Sequence, residues 1–298
     1  MTKPLLFTLP GGGHLADRLA KAIGAEHGDL VLDAFPDGET YLRYHIDLAE
    51  RDVILLAGLD RPNEKTLPVI FAAGAARSLG ARSVGLVVPY LPYMRQDTRF
   101  NPGESVTSVH FAHVLSEMLD WLVTMDPHLH RRQCLSEIYS IRTQVTHAAP
   151  FIADWIAANV ERPLIIGPDA ESEQWVEPLS HLAGADFIVM EKHREASDSV
   201  TLSAPDLSPW TGHQVILIDD VISTAGTLAT AVHHVLEAGL SPPLCVTIHG
   251  VFAAGALERL ESAGADQIVT CNTIEHSTNA IDIAPALADG VKAMLMRD

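Results

Sequence analysis

Basic side chains are scarce in this chain. Its 298 residues carry 20 Lys and Arg against 38 Asp and Glu, a formal net charge of −18 with histidine neutral. That balance excludes a nucleic-acid partner, because displacing phosphate counterions takes a basic face. Cysteine is rare as well: Cys134, Cys245 and Cys271 are an odd number without metal-ligand spacing, and they read as reduced thiols of a reducing compartment. Long apolar runs are missing. No stretch approaches the roughly 20 residues that span a bilayer, and Leu5 to Leu9 is too short for a secretory core and lacks a cleavage-like region after it. The expectation is a cytoplasmic location with no membrane partner. Beyond Glu195 the fixed cations are Arg259, Lys292 and Arg297 alone. An anion bound there must be neutralised largely by backbone N–H groups and a divalent cation.

What is present describes an ordinary globular chain, 47% hydrophobic and 19% charged, whose length predicts two domains of about 150 residues each. Short runs rich in Val, Ile and Leu recur between amphipathic stretches, at Leu5 to Leu9, Val53 to Ala57, Val84 to Val88, Leu164 to Ile166, Phe187 to Val189, Val215 to Ile218 and Leu244 to Ile248. Such continuous runs suit strands of a parallel sheet buried on both faces. Before several of them a glycine (Gly80, Gly184, Gly239, Gly264) stands where a helix would stop in the left-handed conformation. This repeated helix-to-strand punctuation predicts an α/β architecture with right-handed crossovers. The boundary is expected within TQVTHAAP, giving domains 1–145 and 146–298.

The segment VILIDDVISTAGTLATAVHHVLEAG carries the clearest chemistry. A strand delivers Asp219 and Asp220 to a sheet's carboxyl edge, and a turn of small residues then opens a helix. Backbone N–H groups there, with the hydroxyls of Ser223, Thr224 and Thr227, build a cradle for a phosphate. The two acids above it can accept hydrogen bonds from sugar hydroxyls.

ILIDDVISTAGT resembles the phosphoribosyl-pyrophosphate loop shared by type I phosphoribosyltransferases and ribose-phosphate pyrophosphokinases, and by itself leaves both open. Other segments, in the same order over nearly the whole chain, resemble the pyrophosphokinases. In FPDGETYLRY the likeness implies Phe35 stacking on adenine, with Asp37, Gly38 and Glu39 making polar contacts to ATP. VVPYLPYMRQDTRFNPGESVTS resembles that family's Arg-Gln-Asp-Arg segment, implying Arg95 and Gln96 on ATP with Asp97 and Arg99 in support. VTMDPHLHRRQ resembles the segment whose histidine helps bind Mg²⁺ or ATP. Counted from Asp126, that residue is His128 and not His130, while Arg131 and Arg132 read as surface charges. LIIGPDAESEQWVEPLS resembles a strand followed by Pro-Asp-x-Gly-Gly, which implies a Mg²⁺ contact at Asp169, but Glu171 and Ser172 replace the glycines. VMEKHREASDSV resembles the catalytic flexible loop, implying Lys192 as the catalytic cation and Arg194 as its partner, which also serves the sugar phosphate.

The resemblance implies two tandem phosphoribosyltransferase-like domains, each a mainly parallel sheet flanked by helices. The N-terminal domain is expected to hold ATP. The C-terminal one is expected to hold ribose 5-phosphate through Asp219, Asp220, Ser223, Thr224, Ala225, Gly226 and Thr227. The implied reaction moves a pyrophosphoryl group from ATP to the anomeric hydroxyl of ribose 5-phosphate with Mg²⁺, giving 5-phospho-α-D-ribose 1-diphosphate and AMP. A homo-oligomer is implied with it. Two alternatives stay open: a non-catalytic regulatory paralogue, favoured by Glu171 and Ser172, and a type I phosphoribosyltransferase.

Overall fold

In the computed structural model residues 2–169, 172–194, 200–203 and 206–296 are described. The chain divides into two units, the first comprising Met1–His147, Thr273–Glu275 and Ala284–Asp298, the second Ala148–Asn272 and His276–Ile283.

The first unit is built on a six-stranded sheet of β1 (Leu5–Thr8), β2 (Glu26–His27), β5 (Asp52–Leu56), β6 (Ser83–Val87), β7 (Trp121–Met125) and β8 (Arg142–Thr146), in the order β2-β1-β5-β6-β7-β8. All its pairings are parallel. Between β2 and β5 the chain makes an antiparallel hairpin, β3 (Leu30–Ala34) and β4 (Thr40–Tyr44). Helices α1 (Gly13–Ile23), α2 (Pro62–Ser78) and α3 (Thr107–Met118) provide crossovers.

The second unit repeats this plan. Strands β9 (Pro163–Gly167), β10 (Asp186–Val189), β13 (Gln214–Ile222), β14 (Leu244–Gly250), β15 (Gln267–Cys271) and β16 (Asn279–Ile281) pair in parallel in the order β10-β9-β13-β14-β15-β16. Again a hairpin, β11 (Glu191–Arg194) with β12 (Val200–Ser203), follows the second strand. The helices are α4 (Ala149–Asn159), α5 (Glu173–Ala183), α6 (Gly226–Glu237) and α7 (Ala256–Ala263).

The apolar runs named above are strands, and their central residues are buried: Leu55, Leu86, Ile165, Leu217 and Val246 are each 0% exposed. The punctuating glycines have the expected backbone, with φ of 85° at Gly80, 62° at Gly184, 78° at Gly239 and 99° at Gly264. Gly184 and Gly264 cap α5 and α7 directly.

The C-terminal segment departs from the expected division at 145/146. Helix α8 (Ala284–Leu295) packs on α1, β7 and β8 of the first unit. Gly290 permits this approach, since a Cβ there would meet Val123 and Thr146 side-chain atoms at 2.8 Å.

Tight backbone packing also joins the loops after β1 and β5. A Cβ on Gly58 would press on the Gly11 carbonyl group, its carbon 2.7 Å away, whereas one on Gly13 meets nothing within 4 Å. Backbone cannot yield as a side chain does, so Gly58→Ala should destabilise the first unit by about 1–3 kcal/mol. Thermal denaturation should show a lower Tm for it and an unchanged Tm for Gly13→Ala; equal behaviour of the two would refute the packing argument.

Candidate active site

Parallel strands bring their carboxyl ends to one edge of each sheet, and the sequence-predicted residues lie on the segments that leave those ends. In the second unit β13 runs further than its apolar core, so Asp219 and Asp220 lie within the strand itself. Asp219 is in register with Thr247 of β14, while pairing with β9 has ended at Leu217. The two acids therefore stand beyond β9 on that side. Thr247 Oγ1 donates to the Asp220 carbonyl at 3.1 Å, and the Asp220 N–H donates to Asp219 Oδ1 at 3.0 Å.

The small-residue turn follows. Ala225 takes the left-handed conformation (φ 61°) as the N-cap of α6, an unusual state for a residue other than glycine. It turns the chain so that the first N–H groups of α6, which have no partner inside the helix, head the turn of Ser223 and Thr224. The carbonyls of the turn are occupied: Ser223 O accepts from Ala253 N–H at 2.9 Å, and Thr224 O accepts from Arg259 Nη1 at 3.1 Å. Arg259, reached from α7, is a residue that sequence reasoning passed over. Its scarcity as a C-terminal cation was the available signal.

Asp169 follows β9 and completes a group of three carboxylates. Burial raises the Asp219 pKa well above the ordinary carboxylate range, and the charges of Asp220 and Asp169 push it further in the same direction. Ser172, one of the two departures from the family pattern, closes the turn after Asp169. Its hydroxyl donates to the Asp169 carbonyl at 2.5 Å, and it is 2% exposed, packed where a Cβ on Gly167 would stand. Glu171 lies outside the described residues. Lys192 and Arg194 fall on β11, opposite Leu202 and Val200 of β12.

In the first unit the Pro-Asp-Gly signature forms the hairpin tip. Gly38 N–H donates to the Phe35 carbonyl at 2.8 Å, Glu39 N–H donates to Asp37 Oδ1 at 3.2 Å, and Gly38 has φ 91°. Phe35 is 51% exposed there, edge-on to Tyr41 at 5.9 Å.

The loop after β6 presents Arg95 as an exposed side chain and anchors Gln96 on the start of α3. Ser108 Oγ donates to the Gln96 carbonyl at 3.1 Å, and Thr107 Oγ1 donates to Gln96 Oε1 at 3.0 Å. Further along, Arg99 Nε donates to the Glu104 carbonyl at 2.9 Å. Hydrogen bonds from Asn101, then from the Phe100 N–H, hold the Glu104 carboxyl below its usual range. Asp97 is buried, and Arg131 Nη1 donates to its Oδ1 at 3.0 Å while Arg132 Nη2 donates to its carbonyl at 3.4 Å. These arginines are therefore not plain surface charges. A cavity of about 420 Å³ is lined by Asp97, Thr98, Arg99, Val106, Val109, His110 and Arg132.

After β7, Asp126 adopts φ 29° and pairs with His147 Nδ1 at 2.7 Å, a hydrogen bond that raises the histidine pKa. His128 Nδ1 and His130 Nε2 lie 3.0 Å apart, so at least one ring is neutral.

Residues 5–118 match the N-terminal domain of ribose phosphate pyrophosphokinase, and residues 135–286 match the phosphoribosyl transferase domain. The chain belongs to the ribose-phosphate pyrophosphokinase family. Among its relatives is the ribose-phosphate pyrophosphokinase of Methanopyrus kandleri, 30% identical over 94% of this chain and 96% of that protein. The Saccharolobus solfataricus enzyme of the same name is 31% identical over 85% of this chain and 88% of its own length. A phosphoribosylpyrophosphate synthetase structure from Mycobacterium smegmatis has the same fold, with a TM-score of 0.86 at 24% identity over 98% of this chain and 99% of that one. The two repeated units are thus the family's paired phosphoribosyltransferase-like domains.

Asp219 makes folding pH-dependent. Its folded pKa exceeds the unfolded value of about 3.9, so the stability that its proton contributes is present below that value and is lost as pH rises through the folded one. Asp219→Asn should therefore raise the metal-free Tm relative to the parent at pH 7, with the gain shrinking towards about pH 4. A gain independent of pH would remove the crowding from the explanation.

Proposed function

We propose that the first unit of this family member holds ATP, that the second holds ribose 5-phosphate, and that the chain transfers the terminal pyrophosphoryl group between them. The observation that carries the reading is the trio Asp169, Asp219 and Asp220 beside the small-residue turn that opens α6, in a chain of this family. In the reaction the anomeric oxygen of the sugar bonds to the β-phosphorus of ATP. The bond from that phosphorus to the α–β bridging oxygen breaks, AMP leaves, and the hydroxyl proton is released.

The transition state spreads negative charge over phosphoryl oxygens, so the residues act by position and charge rather than by covalent chemistry. Ser223, Thr224, Ala225, Gly226 and Thr227 bind the 5-phosphate through the head of α6. Asp219 and Asp220 orient the ribose hydroxyls. Arg95 and Gln96, with Phe35, Asp37, Gly38 and Glu39, hold the nucleotide, and Asp97 and Arg99 support them. Lys192 and Arg194 supply positive charge to the reacting phosphates.

Three crowded carboxylates fit a hard cation with oxygen ligands, since such an ion would offset the mutual repulsion that adds to burial in raising Asp219. Asp169, with Asp219 and Asp220, would hold Mg²⁺ in the second unit, and His128 would serve the metal or the nucleotide from the first. Bound there, Mg²⁺ would supply positive charge to the phosphate oxygens. Exposed apolar side chains on α2, Leu67 at 54% and Phe71 at 46%, support assembly as a homo-oligomer. Free thiols at Cys134, Cys245 and Cys271 support a cytoplasmic place. Among the described residues no helix is long and apolar enough to cross a membrane.

Incubation with ATP, Mg²⁺ and ribose 5-phosphate should release AMP and form the 1-diphosphate, with no AMP when the sugar is left out. Lys192→Ala should lower kcat by about 100-fold or more. A parent enzyme that released no AMP, or a Lys192→Ala variant at parental turnover, would contradict the reading.

A further inference from the structure

Two adjacent arginines outside the expected ATP-binding set hold two of its loops together. The loop after β6 carries Arg95 and Gln96, and the segment after β7 carries His128. Asp97, next to Gln96, has a side chain only 2% exposed, yet it is a carboxylate. A buried carboxylate must be paired or hydrogen-bonded, or its loop must open to water. Arg131 meets this need at 3.0 Å through Nη1, and its guanidinium lies 5.1 Å from the centroid of the Phe100 ring. Arg132 bonds the Asp97 carbonyl at 3.4 Å and sits 3.8 Å from Glu137. The second Asp97 oxygen and Arg132 Nε are buried without a hydrogen-bond partner among the described residues. Asp97 therefore has no other protein cation bonded to its carboxylate there. With Gln96 anchored on α3 by Ser108 and Thr107, the loop is fixed at Gln96 itself and at Asp97 beside it.

We propose that Arg131 and Arg132 are positioning residues for the nucleotide: gripping Asp97, they lock the Arg95–Gln96 loop to the His128 segment in the shape that receives ATP. The proposal rests on the functional reading above. Neither arginine touches the reacting atoms. Arg131 carries the larger part, because it neutralises the buried charge and also stacks on Phe100, whereas Arg132 holds a backbone carbonyl.

Steady-state kinetics and calorimetric binding of Mg²⁺-ATP test this on the full-length chain. Arg131→Ala should raise KM and Kd for ATP by about tenfold, because a displaced loop loses the prepaid orientation of its side chains. KM for ribose 5-phosphate should stay within about twofold, since that substrate is assigned to the other unit. Arg131→Lys keeps the charge and should recover most of the ATP affinity. Adding Asp97→Asn to Arg131→Ala should cost less than the sum of the two separate losses, as expected for a shared contact. Unchanged ATP affinity in a folded Arg131→Ala variant would overturn the proposal, and so would equal rises in both KM values. If Arg131→Ala fails to fold, the comparison of Arg131→Lys with Asp97→Asn decides: the first should bind ATP like the parent and the second more weakly, and any other order overturns it. A parent that binds ATP but releases no AMP counts against the functional reading alone, because the binding comparison still judges the clamp.

Discussion

Parallel strand pairing is the constraint on which the rest of this molecule depends. A parallel sheet needs a crossover after each strand, and crossovers carry every chain exit to the same edge. In the first unit the exits of β6 and β7 are neighbours, and they carry Arg95 with Gln96 and His128 respectively. In the second unit β9 and β13 are neighbours, and their ends carry Asp169 and Asp219 with Asp220. Residues far apart in the chain become near by strand order alone, before any side chain acts. Burial raises the Asp219 pKa most, then the charge of its neighbour Asp220, and the adjacency of β9 adds the charge of Asp169.

Much of this was legible because buried parallel strands announce themselves as unbroken apolar runs, and left-handed helix ends announce themselves as glycine. The runs at Val53, Val84, Val215 and Leu244 needed no structure to be read as strands. Strand β8 gave no such signal. Its sequence, Arg-Thr-Gln-Val-Thr, lies at the edge of the sheet and is only partly buried, so composition did not mark it. The β3–β4 hairpin also went unread, although Pro-Asp-Gly at its tip is turn chemistry. The placement of α8 escaped for another reason: a helix records in its sequence which face is apolar, and nothing there says which of two similar units that face will cover.

Side-chain pairing across long sequence separations was the least legible feature. Arg131 and Asp97 stand 34 positions apart, and no local pattern couples them. Read alone, two successive arginines in a loop are solvated charges. Only the burial of Asp97 turns them into a requirement, and burial is a property of the fold. Ser172 makes the same point from the other direction. As a sequence departure it favoured a regulatory paralogue; in the fold its hydroxyl bonds the Asp169 carbonyl and its bulk fills the space beside Gly167, contacts that the sequence did not announce.

The two units share a topology and differ in the charged groups at their strand exits. On the loops leaving β6 and β7 the cations Arg95, Arg99, Arg131 and Arg132 are matched by the acids Asp97, Glu104, Asp126 and Glu137, with Arg131 paired to Asp97 and Arg132 near Glu137. Arg95 is exposed among them, which suits the proposed contact with a polyanion such as a triphosphate. At the ends of β9 and β13 acids prevail: three carboxylates crowd together, and Arg259 reaches the adjoining turn through a backbone carbonyl. Bare phosphate would be repelled by such a group at close range, so binding it there requires the oriented N–H groups of α6 and a cation to offset the acids. One strand order thus presents two different sets of side chains at its exits. On the proposed reading, a chain of net charge −18 binds anionic substrates through local groups at the strand exits, the exposed Arg95 in one unit and the head of α6 in the other.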